Sequence, residues 1–319
     1  MANLPFIAAI DEGIHQEMAR DSNVLYFGQN LATTENHEFV KRYGHDRVRV
    51  TPISETAEIG IGVGAAMAGL RPVIELYMAE FMLVAMDQVV NEAAKFRYMT
   101  GGQVKVPLVL KAGYGFTAGW AGQHTGSLAA LFMGWPGLKC VIPSTAADAK
   151  GLMATAIRDD NPVVFLHHYM LTLEHGEVPD GEHLVPFGKA EIRRAGKDVT
   201  IVATGWMVQR SLAAAEKLKA EGIDAEVIDA RSIAPLDLDT ILKSVAKTRH
   251  VVLVDQAPRH ASVSAIIAGD IVEHGFESLK KPIIQVTGAD TTVPYSEPLE
   301  AFVIPDEARI VAAVRKVLK

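Results

Sequence analysis

The chain has 319 residues, 49% of them hydrophobic and 22% charged, with 31 basic against 38 acidic side chains for a formal net charge of −7. That size and balance fit two folded domains and argue against disorder, and an acidic chain offers no electrostatic reason to bind nucleic acid or an anionic membrane. The one cysteine, Cys140, excludes an intrachain disulfide and a thiolate-rich zinc site, which suits a reducing cytoplasm.

The opening residues, MANLPFIAAIDEGIHQEMARD, lack a basic n-region and carry Asp11 and Glu12, so no secretory signal is expected and the mature chain is expected to begin near Met1. Short β-branched runs at 24–27, 48–51, 73–77, 106–110, 138–142 and 163–166 predict strands separated by helical patterns. The uncharged run 59–70 is too short to cross a bilayer. The clearest helix is expected over 81–98. Asp87, Asn91 and Lys95 line up there at i, i+4 and i+8, while Leu83, Met86, Val90 and Ala94 cover other faces and suit a partner contact.

The polar stretch 171–188 holds three Gly and two Pro without a regular period, and it reads as an interdomain linker. Beyond it the alternation restarts, with strands expected at 199–203, 225–228, 251–255 and 283–286 and helices at 208–221, 236–246 and 262–274. The expected fold class is α/β, as two doubly wound, mainly parallel-sheet domains over 1–180 and 181–319.

The run GIGVGAAMAG at 60–69 has G-x-G-x-G spacing, whereas a dinucleotide fingerprint needs G-x-G-x-x-G between a strand and a helix; it reads as a closely packed helix. A second run, AGYGFTAG at 112–119, follows a strand and leads to Gln123-His124, as a ligand-holding loop would. Glu55 stands after TPIS, at a strand end and a helix start. It suits either a ligand at the carboxyl edge of a parallel sheet or a first-turn carboxylate favoured by the helix dipole. His124 is a proton-transfer candidate among eleven histidines. His167 and His168 are consecutive in a strand and point to opposite faces, so they make a poor metal pair. No G-x-S-x-G serine or Walker loop occurs.

Taken together, TPISETAEIGIGVGAAMAGLRPVIE (51–75), AMDQVVNEAAKFRYMTGGQ (85–103), GQHTGS (122–127), PGLK (136–139), DAKGLMATAIRDDNPVVF (148–165) and VTGADTTVPY (286–295) resemble one family. It is the β subunit of the thiamin-diphosphate-dependent decarboxylating component of 2-oxo acid dehydrogenase complexes, of the pyruvate, branched-chain and acetoin type. The resemblance runs over nearly the whole chain from about Pro5. It implies a transketolase-like pyrimidine-binding domain followed by a transketolase C-terminal-like domain.

The resemblance also implies roles. Glu55 matches the glutamate that hydrogen-bonds the cofactor's aminopyrimidine ring and so activates the thiazolium carbon. His124 matches a histidine that serves as the acyl group passes to lipoamide. Phe81, with Tyr77 and Ile53, falls where relatives line the pyrimidine, and an aromatic face suits that flat ring. AIRDDNP resembles a potassium-holding loop, implicating Ala156, Asp159 and Asn161 with Leu108 opposite, though a capped helix end reads equally well.

The G-D-G segment and paired Asn that hold magnesium and diphosphate are missing, since Gly269-Asp270 runs into Ile271. The resemblance therefore implies an α subunit that supplies Mg2+ and the diphosphate ligands in an α2β2 heterotetramer, and a dihydrolipoyl acyltransferase that takes the acyl group. Two departures stand out. Gly28-Gln29-Asn30 replaces G-E-D, so Gln29 cannot serve an acidic channel between cofactors, and 256–265 replaces a segment with an acid and a Gly-Phe-Gly run. The rival readings are a split transketolase-like ketol transferase subunit and a non-catalytic binding module.

Overall fold

The structure, a computed structural model, describes residues 1–29, 38–116, 119–260 and 262–319. The chain forms two compact units. Unit 1 takes in 1–114, 132–141 and 145–187; unit 2 takes in 115–131, 142–144 and 188–319. The loop of 115–131 therefore packs with the second unit although it precedes the last strands of the first.

The elements up to Val178 are β1 (Ala2–Pro5), α1 (Phe6–Arg20), β2 (Val24–Gly28), α2 (Glu38–Tyr43), β3 (Val48–Val50), α3 (Glu55–Met67), β4 (Arg71–Met78), α4 (Phe96–Met99), β5 (Val109–Tyr114), α5 (Ala129–Met133), β6 (Lys139–Val141), α6 (Ala146–Arg158), β7 (Val163–His168) and β8 (His175–Val178). Within unit 1 the strands run in the order β6-β7-β5-β4-β2-β3, all parallel. Every residue of β5 and β7 is buried, as expected for strands covered on both faces, and both are mostly apolar, with Lys111 in β5 and His167-His168 at the end of β7 as the buried polar exceptions. On α1, Phe6, Ile10 and Ile14 recur at fourfold spacing and are fully buried. The partner helix α6 is capped by Thr145, whose hydroxyl oxygen accepts the Asp148 N–H at 3.2 Å.

The chain leaves β2 for β3 on one side and adds β4 on the other, so the order reverses at the carboxyl ends of β2 and β4. This crevice is where open α/β sheets bind ligands. Gly28 closes β2 with φ +154°, and a Cβ there would lie against the backbone of Glu75 on β4.

Two expectations need correction. The single helix expected over 81–98 is three pieces: a 3-10 turn at Ala79–Ala85, a π-helical turn at Asp87–Ala93 and α4. The anticipated ladder is nevertheless present, with Lys95 Nζ donating to Asn91 Oδ1 at 2.6 Å and Asn91 Nδ2 to Asp87 Oδ1 at 2.7 Å. The stretch 171–188 is no free linker, because β8 pairs antiparallel with β1 and residues through Phe187 belong to unit 1. Too short to show a period, β8 is held by a partner about 170 residues away.

Unit 2 contributes β9 (Glu191–Arg194), β10 (Val199–Ala203), α7 (Trp206–Lys219), β11 (Ala225–Asp229), β12 (Ser232–Ala234), α8 (Leu238–Thr248), β13 (Val251–Pro258), α9 (Val263–Gly275), β14 (Ile284–Gly288), α10 (Glu297–Val303) and α11 (Glu307–Leu318). Its sheet runs β14-β13-β10-β11-β9, parallel but for the β9 edge. Asp237, Ser262 and Asp306 cap α8, α9 and α11 by accepting backbone N–H groups.

Candidate active site

The site begins where β3 ends. Gly28 O accepts the Thr51 N–H at 3.2 Å, extending the β2–β3 pairing by one bond and bringing Gln29 beside the TPIS turn. Helix α3 then starts at Glu55, with Glu58 three residues on, and both carboxylates sit in the first turn where the exposed N–H groups favour negative charge. Glu55 is half-buried and Glu58 fully buried. Thr51 Oγ1 donates to Glu58 Oε1 at 2.6 Å, and Gln29 Nε2 donates to Glu58 Oε2 at 3.1 Å and to Glu55 Oε1 at 3.3 Å. The sequence placed Glu55 in a helix's first turn, as the structure does, but did not show its neighbours, although two acids at i and i+3 in one first turn are a signal that a shared donor is needed.

The Gly run in α3 serves packing. A Cβ on Gly62 would run into the Ile74 side chain of β4 and come within 3.1 Å of Leu108 Cδ1, so the helix lies close on the sheet. Thr56 Oγ1 donates to Val84 O at 3.2 Å and ties the first turn of α3 to the 3-10 turn bearing Phe81. Phe81 is half-buried, while Tyr77 is 38% and Ile53 79% exposed.

Beneath this edge lies a buried charged cluster. Lys111 forms an ion pair with Glu75, and Tyr26 Oη donates to Glu75 Oε2 at 2.6 Å; all three are almost fully buried. Burial, with the Glu75 charge beside it, pushes the Tyr26 phenol well up. Asp11 on α1 faces the same pair, and burial raises its carboxyl to about 6, with Lys111 opposing and Glu75 assisting. His167 is buried with neither ring nitrogen hydrogen-bonded among the described residues. Burial, then Lys111, holds it well below the usual histidine range, so it is neutral. His168 Nδ1 accepts the Met170 N–H at 3.1 Å, which agrees with the two imidazoles pointing to opposite faces.

His124 stands on the 115–126 loop of unit 2, closed by Gly115 N–H donating to Gly126 O at 3.2 Å. Thr125 Oγ1 donates to Ala121 O at 2.6 Å, and the Gly119 N–H donates to Glu300 Oε2 at 2.6 Å, so the loop is braced from both ends. Thr117 and Ala118 of the AGYGFTAG run, Asn30 with the 31–37 stretch, and Ala261 of the 256–265 departure lie outside the described residues.

The residues of the expected potassium set already have partners within the chain. Lys139 is paired with the Asp159 carboxylate, whose Oδ1 also accepts from the Asn161 N–H and Nδ2, both at 2.8 Å. Arg97 donates to Asn161 Oδ1 at 2.6 Å, Arg71 to Asp159 O at 3.1 Å, and the Leu108 and Ala156 carbonyls accept backbone N–H groups. Two guanidiniums and an ammonium already surround these oxygens, so a further cation would meet positive charge. Gly269-Asp270 lies inside α9 rather than on a loop. Among the described residues no group of three His, Cys, Asp or Glu side chains is arranged to hold a metal. A separate cavity of about 600 Å3, bordered by Tyr98, Trp135, Pro136 and Pro162, shares no residue with the Glu55 group.

Two α/β units, the first with a carboxylate at its switch point, define a two-domain protein of the transketolase type. Residues 3–172 match the family described as transketolase, pyrimidine binding domain, and 188–310 match transketolase, C-terminal domain. The chain is 44% identical to the acetoin:2,6-dichlorophenolindophenol oxidoreductase subunit beta of Cupriavidus necator, over 98% of this chain and 96% of that one. It is 40% identical to the pyruvate dehydrogenase E1 component subunit beta of Rhizobium meliloti, over 99% and 70%, and 37% identical to the 2-oxoisovalerate dehydrogenase subunit beta of Bacillus subtilis, over 99% of each. A solved structure titled split gene transketolase, inactive beta4 tetramer, shares the fold with TM-score 0.83 at 23% identity, covering 99% of both chains. The chain belongs to the family of β subunits of thiamin-diphosphate-dependent 2-oxo acid and acetoin dehydrogenases.

Proposed function

We propose that this chain provides the pyrimidine side of the cofactor site of a 2-oxo acid or acetoin dehydrogenase, active in the cytoplasm as an α2β2 heterotetramer. The α subunit would grip the diphosphate through Mg2+, and the acyl product would pass to the lipoyl group of a dihydrolipoyl acyltransferase. The observation that carries this reading is the Glu55 carboxylate at the switch point, with Oε1 engaged by Gln29 and Oε2 making no hydrogen bond among the described residues, which suits a ring nitrogen. Around it Ile53, Ile61, Leu83 and Val84 are each at least half exposed, an apolar surface that suits cover by a partner subunit. The reading includes no potassium.

Thiamin diphosphate, when bound, would supply a carbon nucleophile and an electron sink for decarboxylation or carbon–carbon cleavage. Glu55 would hold the pyrimidine and exchange a proton with it at its carboxyl group, and Phe81, Tyr77 and Ile53 would give the ring apolar surface and exclude water. His124 moves a proton as the acyl group is handed on. The one buried cysteine, Cys140, needs no oxidising compartment.

The test is co-expression with the α subunit and a screen of pyruvate, branched-chain 2-oxo acids and acetoin with an artificial electron acceptor, followed by reductive acylation of lipoamide. Glu55→Gln should lower turnover at least a hundredfold, on the order expected for loss of a positioned proton-transfer group. Unchanged turnover, or ketol transfer without lipoamide acylation, would overturn the reading.

A further inference from the structure

Glu55 and Glu58 are three residues apart on the first turn of one helix, on one face, and Glu58 is buried. Two carboxyl groups so placed repel whenever both are ionised, and their oxygens demand donors. Gln29, fixed at the end of β2 by the close approach of Gly28 to Glu75, reaches both with one nitrogen, at 3.3 Å to Glu55 Oε1 and 3.1 Å to Glu58 Oε2. Thr51 holds the remaining oxygen of Glu58 at 2.6 Å. The result is a chain from the TPIS turn through a buried carboxylate and an amide to the carboxylate that faces the cofactor.

We propose that Gln29 is a positioning residue that sets the Glu55 carboxylate by clamping it to Glu58. This rests on the role given to Glu55 above. The amide chemistry is what makes the clamp work. A side-chain amide carries two N–H protons and can serve two carboxylates, whereas a carboxyl group has one proton when neutral and none when ionised. An acid at position 29 would therefore hold at most one of the two partners, and once ionised would place a third like charge among them. Among the described residues the titratable groups that hydrogen-bond Gln29 are Glu55 and Glu58 from α3. Across the β2–β4 pairing stands the buried Glu75–Lys111 pair, and Thr51 contributes a group that does not titrate.

The experiment compares wild type with Gln29→Met, similar in length and without a donor, and with Gln29→Glu, each as the full chain assembled with its α subunit. Thiamin diphosphate affinity is read from quenching of tryptophan fluorescence, turnover is expressed per bound cofactor, and the unfolding temperature of each assembly is recorded. Gln29→Met should lower turnover per bound cofactor about tenfold while affinity changes less than about threefold, because orientation is lost and the diphosphate is held elsewhere. Gln29→Glu should show a defect of at least that size, because the introduced carboxyl has at most one proton to give where the amide has two. Turnover per bound cofactor within about twofold of wild type in both variants, whether or not the unfolding temperature falls, overturns the clamp and leaves the functional reading intact. Failure of the wild-type assembly to bind thiamin diphosphate would overturn both.

Discussion

Replacing Asp11 by Asn should stabilise the protein, and increasingly so as pH rises from 5 to 8. Asp11 sits on α1 with Glu75 and Lys111 before it, and with Glu12, His15 and Glu38 it lines a polar pocket of about 160 Å3. Burial is the main reason its carboxyl is raised to about 6, Lys111 resists, and the neighbouring acids add to the rise. In the unfolded chain the same group titrates near 3.9. Between those values the native state binds a proton that the unfolded state does not, so this group's contribution is fully present at low pH and is lost as pH rises through about 6. The whole span is about two pH units, or about 3 kcal/mol, and about half of it falls between pH 5 and pH 8.

Because Asp11 is partly exposed, the expected gain of Asp11→Asn over wild type is an increase of about 1 kcal/mol across that interval. Urea denaturation of both proteins at each pH measures it, and the difference between them removes groups that titrate in common. A difference that is flat with pH, or that grows in favour of wild type, would refute the burial argument.

Lys111→Met should cost about 3–5 kcal/mol in urea denaturation, because it leaves the Glu75 carboxylate buried with the Tyr26 hydroxyl as its remaining side-chain donor among the described residues. Adding Glu75→Gln to that variant should recover much of the loss, and no recovery would show that packing rather than charge dominates. Gly28→Ala should cost about 3 kcal/mol or more, since φ +154° is strained for any side chain and a Cβ would meet the Glu75 backbone; an unfolding midpoint like wild type's would contradict this. Thermal unfolding in matched KCl and NaCl should give the same midpoint, and selective stabilisation by potassium would show that Lys139 and Arg97 do not exclude the ion from the Asp159 loop.

Much of the architecture was legible residue by residue. The alternation of β-branched and helical runs anticipates β10 to its ends and most of β2, β7 and β11, because buried parallel strands are apolar throughout and short. Glu55 was legible as a first-turn carboxylate at a strand-to-helix junction. The short edge strands β1, β8 and β9 were not, since a four-residue segment has no period and is held by a partner far away in sequence. Nor was the break of 79–99 into helical turns of different pitch.

What the amino acids determine on their own is chemistry and rhythm: an acidic two-domain α/β chain, a carboxylate at the start of α3, a histidine in a glycine-rich loop, and an amide at position 29. Tertiary structure decides which of these groups meet. Strand pairing brings residue 29 beside residues 51, 55 and 58, sets Glu75 against Lys111 under the same edge, and fills the expected potassium loop with the chain's own cations. Local periodicity reflects only neighbours a few residues apart, whereas a buried carboxylate needs a donor in three dimensions, and the sheet supplies it from wherever in the chain the register allows.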